Sequence, residues 1–439
     1  MADKLSERLD KIDRDILMPM VKPGKLYWVA LGICVFFVIL AIGAWVYQLK
    51  TGLGAAGIRH PGMWGFYIIN FVFWVGIAHS GTLISAVLLL FRANFRSAFN
   101  RSAEAMTIFA VMTAGLFPII HAGRPWKIYW LFPYPTQREI WPNFFSPLEW
   151  DVFAVSTYFT ISLIFWYLGM VPDLAIARRF FGGVRGFFYR LFSLGWTGTV
   201  PQWMHYVRAS LFLAAFATPL VASVHSVVSF DFAVSIVPGW HATIFPPFFV
   251  AGAIFSGCAM VFTLVIPMRK IFNLEEYITI DHFENLAKLT LFTGLIVTYA
   301  YITEFTLPLY GENIFERDQF VYRAFGDYKW YSWAMIFCNS VVPLILFIKS
   351  MRRNLIVLFI VSIFINIGMW LERFVIVVIS LAHEYEPYAW GLYHPSIVEI
   401  LITLGSFGWF FMWFLLFTRA IPVVSIFEVK EERVREEEK

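Results

Sequence analysis

Ten stretches of mainly apolar residues follow one another along this chain, near residues 26–48, 62–92, 102–122, 150–172, 207–226, 245–268, 285–309, 328–348, 354–381 and 398–419. Each approaches the roughly 20 residues that an α-helix needs to cross a hydrocarbon core. No soluble architecture buries so many long apolar helices, so the pattern predicts an all-α integral membrane protein of about ten transmembrane helices. The second and ninth stretches are long enough to tilt or to extend beyond the bilayer. Composition agrees: 59% of residues are hydrophobic and 15% charged, against about 25% charged in a typical soluble domain.

The remaining bulk features exclude rather than assign. A net charge of +4, with basic residues spread along the whole length, leaves no footprint for nucleic acid. Cys34, Cys258 and Cys338 each lie inside an apolar run and share no CxxC-type spacing, so they read as small buried hydrophobes rather than metal ligands. The first 25 residues are charged and amphipathic, without a short apolar stretch and small-residue cleavage site. They are expected to form a segment outside the membrane rather than a cleaved leader.

Orientation follows from the basic residues in alternate connections. The side carrying both termini receives 25 lysines and arginines, the other side 8, and Arg373 lies within the ninth span. The expected arrangement is an inner-membrane protein with both termini cytoplasmic. A weak repeat relates Gly76–Arg92 to Ala253–Arg269, each with a Ser-Gly step, an apolar stretch and a terminal arginine, and each followed by a helix opening on an acid, Glu104 or Glu284. An offset of four helices preserves direction, which predicts a parallel repeat of two four-helix units. Chance likeness between two apolar helices is the rival explanation. The expected boundaries are a terminal segment 1–25, a first helix and loop 26–61, bundles 62–226 and 227–381, and a closing loop, helix and tail 382–439.

A charged side chain kept at membrane depth needs a partner, water or a task. Most such residues gather toward the non-cytoplasmic face. His121 closes the third span and is followed by Gly123 and Arg124; Asp151 opens the fourth; His225 and Asp231 end the fifth; Glu304, Glu372 and Arg373 lie in the outer parts of the seventh and ninth. Each has a plainer reading. Asp151 suits a helix N-terminus, Arg373 suits pairing with Glu372 or Glu304, and His121 suits an interfacial histidine. Their convergence on one level points to a polar pocket at the outer membrane edge.

The loop from Gly123 to Trp150 holds five prolines and many aromatic residues, among them Trp126, Tyr129, Trp130 and Trp141. Prolines stiffen a connection, so the loop reads as a lid over a lipophilic ligand or a docking surface for an external subunit, with an interfacial aromatic belt as the plainer account. Of the histidines only His79 is placed near mid-depth, without an evident partner, so no axial pair for a transmembrane haem is expected. No Walker loop, dinucleotide fingerprint, HExxH or nucleophile elbow occurs.

The segments GLFPIIHAGRPW, WPNFFSPLEWDVFAVSTYF, HSVVSFDFAVS, PGWHATIFPPFFVAGAIFSG and FINIGMWLERFVIV resemble the NrfD/polysulfide-reductase membrane-subunit family, and within it the ActC-type quinol-oxidising subunits of bacterial alternative complex III. The similarity runs over about residues 26–428. It implies two four-helix bundles with a peripheral helix at each end, a bacterial inner membrane as the setting, and a quinol site, menaquinol being the expected species, at the outer face. By this resemblance His121 and Asp151 contact quinol, with supporting roles for Arg124, Asp231 and Arg373. The implied partners are c-type haem subunits, a periplasmic iron-sulfur subunit, a homologous NrfD-like membrane subunit and small membrane subunits, within surrounding lipids. No haem or iron-sulfur cluster is expected in this chain.

Quinol oxidation releases two electrons and two protons, so the site needs acceptors at the two ring hydroxyls. His121 can take a proton near neutral pH and Asp151 can serve as a second base. Arg124 or Arg373 beside it would favour the charged carboxylate. A proton route through His79, Glu104, Thr107, Glu284, Tyr299 and Tyr301 is a further expectation, set against ordinary hydrogen bonding between helices. Three other readings stay open: another NrfD-type reductase subunit, a proton or solute transporter, and a passive anchor. A transporter would place its site at the midplane, where little stands besides His79, Asn339 and Asn366.

Overall fold

The computed structural model describes residues 2–21, 23–132 and 145–437. The lid residues Pro133, Tyr134, Pro135, Trp141, Pro142 and Phe144, together with Arg138, lie outside the described residues. The described residues form helices joined by short connections, with no strand among them, and ten helices are long and apolar enough to cross a membrane. They are α2 (Lys25–Thr51), α3 (Gly65–Leu90), α4 (Asn100–His121), α5 (Pro147–Phe180), α7 (Val200–Ala233), α8 (Phe245–Ile271), α9 (Ile280–Tyr310), α11 (Lys329–Phe347), α12 (Leu355–Ala382) and α13 (Ile397–Ala420). Four shorter helices lie outside the spans: α1 (Ala2–Leu17), α6 (Gly183–Phe192), α10 (Ile314–Phe325) and α14 (Ile426–Glu437). With ten crossings, both termini fall on one side, the terminal face. The fifth span is longer than the sequence indicates, because Thr199 starts α7 earlier through a capping box with Gln202, and Pro at its first turn costs no helical hydrogen bond.

Helices α3 and α8 occupy the centre and are the most enclosed of the ten. They hold the two Ser-Gly steps of the suspected repeat, and these steps are where the helices touch. A methyl group added to Gly257 would stand 1.9 Å from Ser80 Oγ and 2.9 Å from the Ile77 carbonyl. One added to Gly81 would stand 2.1 Å from the Ala103 carbonyl of α4. In lipid, such close approach of small residues replaces the hydrophobic drive that packs helices in water. Gly257→Val should therefore force the central pair apart at a cost of roughly 1–3 kcal/mol. The expected result is a lower unfolding temperature in detergent, with Gly115→Val, where an added carbon meets nothing within 4 Å, as the control that stays near wild type.

The first and last spans come together in space. Gly405 and Gly408 of α13 face Ala41 and the Cys34 carbonyl of α2, leaving no room for a side-chain carbon. From α13, Thr403 and Ser406 accept hydrogen bonds from Asn70 (2.8 Å) and Trp74 (3.1 Å) of α3. One turn of π-helix interrupts each of α3 (Leu83–Val87), α11 (Phe337–Val341) and α12 (Val375–Ile379). The turn in α11 carries the buried Asn339, and that in α12 follows directly on Glu372 and Arg373.

The terminal face is closed by α14. Glu428 accepts from Arg96 at 3.0 Å, Glu432 from Ser97 at 2.9 Å, and the Phe427 amide donates to Asp173 at 3.2 Å. Burial pushes the Glu428 carboxyl up from its ordinary range, against the pull of Arg96 and Arg101.

Candidate functional site

At the face opposite the termini, three helices end at one level. Asp151 lies in the second turn of α5, Asp231 in the last turn of α7, and His121 is the final residue of α4. Pro147 fixes the start of α5 and so sets how far Asp151 sits below the surface, about 6 Å at 1.5 Å per residue. Asp151 and Asp231 are both buried, and their carboxyl groups interact directly across the α5–α7 contact. Apart from the contact between the two carboxyls, both Asp151 oxygens, Asp231 Oδ1 and His121 Nδ1 are enclosed without a hydrogen-bond donor among the described residues. Buried polar atoms are normally satisfied, so this cluster presents acceptors awaiting donors.

His121 is positioned from the other side. Its ring stands edge-on to Tyr67 with centroids 6.4 Å apart. The Tyr67 hydroxyl donates to Gln48, whose amide donates to the Ile120 carbonyl at 3.3 Å. Among the described residues no hydrogen bond joins His121 to the carboxyl pair.

The structure separates two residues from this group. Arg124 is exposed on the chain leaving α4, with no ion pair to either aspartate among the described residues. Just beyond it, Trp126, Tyr129 and Trp130 lie exposed on a short 3-10 helix, Pro125–Leu131. Arg373 is placed deeper. It contacts Glu372 Oε1 at 2.5 Å, lies over the Phe249 ring at 4.4 Å, and its charge reaches His225. The alternative partner, Glu304, is taken by Arg323 at 2.7 Å.

His79, expected to stand alone, has a partner. Its ring is 4.5 Å from that of His225 and stacks on Tyr158 at 4.7 Å with 4° between planes. The fifth span runs on to Ala233, past the end expected near residue 226, which leaves His225 below the surface beside His79. His79 Nδ1 contacts the Val75 carbonyl at 2.6 Å, while His79 Nε2 and both His225 nitrogens are buried without a hydrogen-bond partner among the described residues. Tyr158 donates to the Ala78 carbonyl at 2.9 Å and shares a hydrogen bond with Thr82 at 2.7 Å; Thr107 also donates to that carbonyl, at 2.7 Å.

The other expected route residues divide. Tyr301 is buried, donating to Glu372 and accepting from Asn339 at 2.8 Å. Tyr299 is 63% exposed on the outer surface of α9 and belongs to no interior path; it is two residues from Tyr301, and a helix turns the two to different sides. Glu104 and Glu284 are ion-paired near the terminal face, Glu104 with Arg101 at 3.4 Å, and Glu284 with Arg352 at 3.0 Å and with Arg353. Sequence reasoning missed Arg101 and Asp173, which meet at 2.8 Å in a fully buried pair. Arg101 reads as one more loop cation, but Asp173, eight residues before Phe181 in an apolar run broken by Pro172, was a signal that a cation must reach it.

The family profile described as "Polysulphide reductase, NrfD" matches residues 54–383, three quarters of the chain. The chain belongs to the NrfD family. Among curated relatives, a Halobacterium salinarum protein named as a membrane subunit of dimethyl sulfoxide reductase is 28% identical over 400 residues, covering 85% of this chain and 86% of that one. A selenate reductase subunit of Mesobacillus selenatarsenatis is 22% identical over 432 residues, 93% of this chain and 96% of the other. The Hdr-like menaquinol oxidoreductase integral membrane subunit of Archaeoglobus fulgidus is 22% identical over 182 residues, 42% of this chain and 43% of its own length. This NrfD protein is thus a multi-pass membrane subunit of a quinone-linked oxidoreductase complex.

Proposed function

We propose that this NrfD subunit oxidises quinol at the face opposite its termini and hands the electrons to an iron-sulfur subunit docked there, in an assembly of the alternative complex III type with c-type haem beyond. The observation that carries this reading is the set of buried acceptors at one face that, beyond the contact between the two carboxyls, have no donor among the described residues: both oxygens of Asp151, Asp231 Oδ1 and His121 Nδ1. The two hydroxyls of a quinol supply the missing donors. As the ring gives up two electrons, one proton passes to His121 and one to the carboxyl pair, which can share it between its members. Menaquinol is the proposed substrate, in line with the name of the Archaeoglobus relative.

The chain is further proposed to divide into bundles 62–226 and 227–381, with the terminal face cytoplasmic and the site external in a bacterial inner membrane. A second NrfD-like membrane subunit and small membrane subunits would complete the assembly. The interior chain of His225, His79 and Tyr158, with Thr107 and Glu104 toward the terminal face, is proposed as a path for protons; Glu284 and Tyr301 lie in the corresponding half of the molecule. A reductase running in the opposite direction uses the same site. A solute transporter is less well supported, because the unsatisfied carboxyls lie at the face and not at the midplane.

The test combines topology with chemistry. Reporter fusions after Arg353 and Lys430 should read as cytoplasmic and one at Gly311 as external, and the purified complex should oxidise menaquinol with reduction of cytochrome c. External reporters at Arg353 and Lys430, or a fully assembled complex inert toward quinols, would remove this reading.

A further inference from the structure

Between Asp173 and Asp231 the sequence carries five arginines, Arg178, Arg179, Arg185, Arg190 and Arg208, and no acidic residue. Two of them serve the fold. Arg178 donates to the Trp196 carbonyl at 3.0 Å and to Ser193 Oγ at 3.4 Å. Arg185 lies over Phe181 at 4.1 Å and donates to Tyr189 at 2.8 Å and to the carbonyls of Met20, at 3.2 Å, and Arg419. Arg179, Arg190 and Arg208 are exposed and make no hydrogen bond or ion pair among the described residues. Asp13, whose carboxyl feels the charge of Arg179, is itself held by Lys430 at 2.6 Å.

Arg179 opens on a cavity of about 170 Å³ between the end of α5 and the start of α7. Its walls are Pro172, Ile176, Trp196, Trp203 and Phe427, and Thr197 adds a hydroxyl. The two indoles meet edge to face at 4.9 Å, an arrangement suited to the boundary between headgroups and acyl chains. Apolar surface leads away from the cavity in both directions. Val184, Phe187, Phe188 and Leu191 are exposed on α6, the pattern of a helix lying in the interface, and Met204 and Leu211 are exposed along α7.

We propose that this cavity binds the headgroup of an anionic phospholipid from the leaflet at the terminal face. The Arg179 guanidinium pairs with the phosphodiester through its planar fork, Arg190 and Arg208 draw the lipid in, and the acyl chains lie along α6 and α7. A basic pocket between membrane helices is the setting in which such headgroups are held. An acidic peptide would match the charge but would leave the apolar rows on both sides without a purpose.

The test is retention of lipid by the purified, fully assembled complex, measured by native mass spectrometry with phosphatidylglycerol, phosphatidylcholine or inorganic phosphate added in turn. Phosphatidylglycerol should bind in preference to phosphatidylcholine, and Arg179→Gln should weaken it about fivefold, the worth of one basic residue at a lipid surface. Adding Arg190→Gln and Arg208→Gln should weaken it further, while Arg179→Lys retains part of the binding. A control set, Lys270→Gln with Lys349→Gln, removes two charges from exposed residues elsewhere on the terminal face, one more than Arg179→Gln, and should leave retention unchanged. Equal loss in the control set would mean that only the overall charge of that face matters. Equal binding of phosphatidylcholine would reduce the site to acyl contact, and displacement of the lipid by inorganic phosphate would make it a phosphate site. Any of these three results overturns the proposal.

Discussion

His121→Ala and Asp151→Asn should each lower quinol turnover by roughly 10² or more, the range expected when a general base is removed, in a complex that still assembles. Asp151→Asn is the more informative of the two. It keeps the shape of the side chain beside Asp231 and supplies an amide that can donate to the neighbouring carboxyl, so the local packing survives while the proton acceptor is lost. The fall should lie in kcat more than in KM, because a base acts in the transition state while binding rests on the apolar surroundings. Asp231→Asn should show the same defect, since the two carboxyls act as a pair, and the double variant should be little worse than either single one. Arg124→Ala, by contrast, should change turnover only slightly, because Arg124 is exposed and makes no ion pair with the carboxyls among the described residues. Turnover within about twofold of wild type for both His121→Ala and Asp151→Asn would return these residues to a structural role; a general base contributes far more than that.

The largest expected effect on stability belongs to Arg101. Arg101 is 1% exposed, and its guanidinium donates to Asp173 at 2.8 Å, to the Gly169 carbonyl at 2.6 Å and to Glu104 at 3.4 Å. Arg101→Met leaves Asp173 buried without its cation, at a cost of roughly 3–5 kcal/mol, whereas replacing both members of a buried pair is often close to neutral. The expected outcome is a sharp drop in folded yield and unfolding temperature for Arg101→Met, with substantial recovery in Arg101→Met/Asp173→Asn. Fluorescence-detected size-exclusion profiles and thermal unfolding in detergent measure both. A single variant as stable as wild type would show that water reaches Asp173 and that the pair contributes little.

These two sites differ in how far they could be read from the chain itself. His121, Asp151 and Asp231 are legible because each breaks an apolar run at its end, where a charged residue marks both the helix terminus and the membrane face. The meeting of Asp151 with Asp231 is not legible, since it depends on α5 and α7 packing side by side. Arg373 is legible in part, since its pairing with Glu372 is open to the sequence. Position within its span gives an approximate depth, but the rotation of α12 that sets it over Phe249 is fixed by packing against α8.

The sequence by itself determined the class of fold and the ten spans, because the hydrocarbon core allows a spanning segment only one local structure and penalises every buried charge. It also marked the Ser-Gly steps through which α3 and α8 approach, since small residues at helical spacing are what close contact requires. Only the tertiary structure decided which polar groups meet: Asp151 with Asp231, His79 with His225 and Tyr158, Arg101 with Asp173, and the first span with the last. Such pairings depend on the rotation, tilt and neighbours of whole helices. Those follow from side-chain packing between segments far apart in sequence, and no local pattern of residues encodes them.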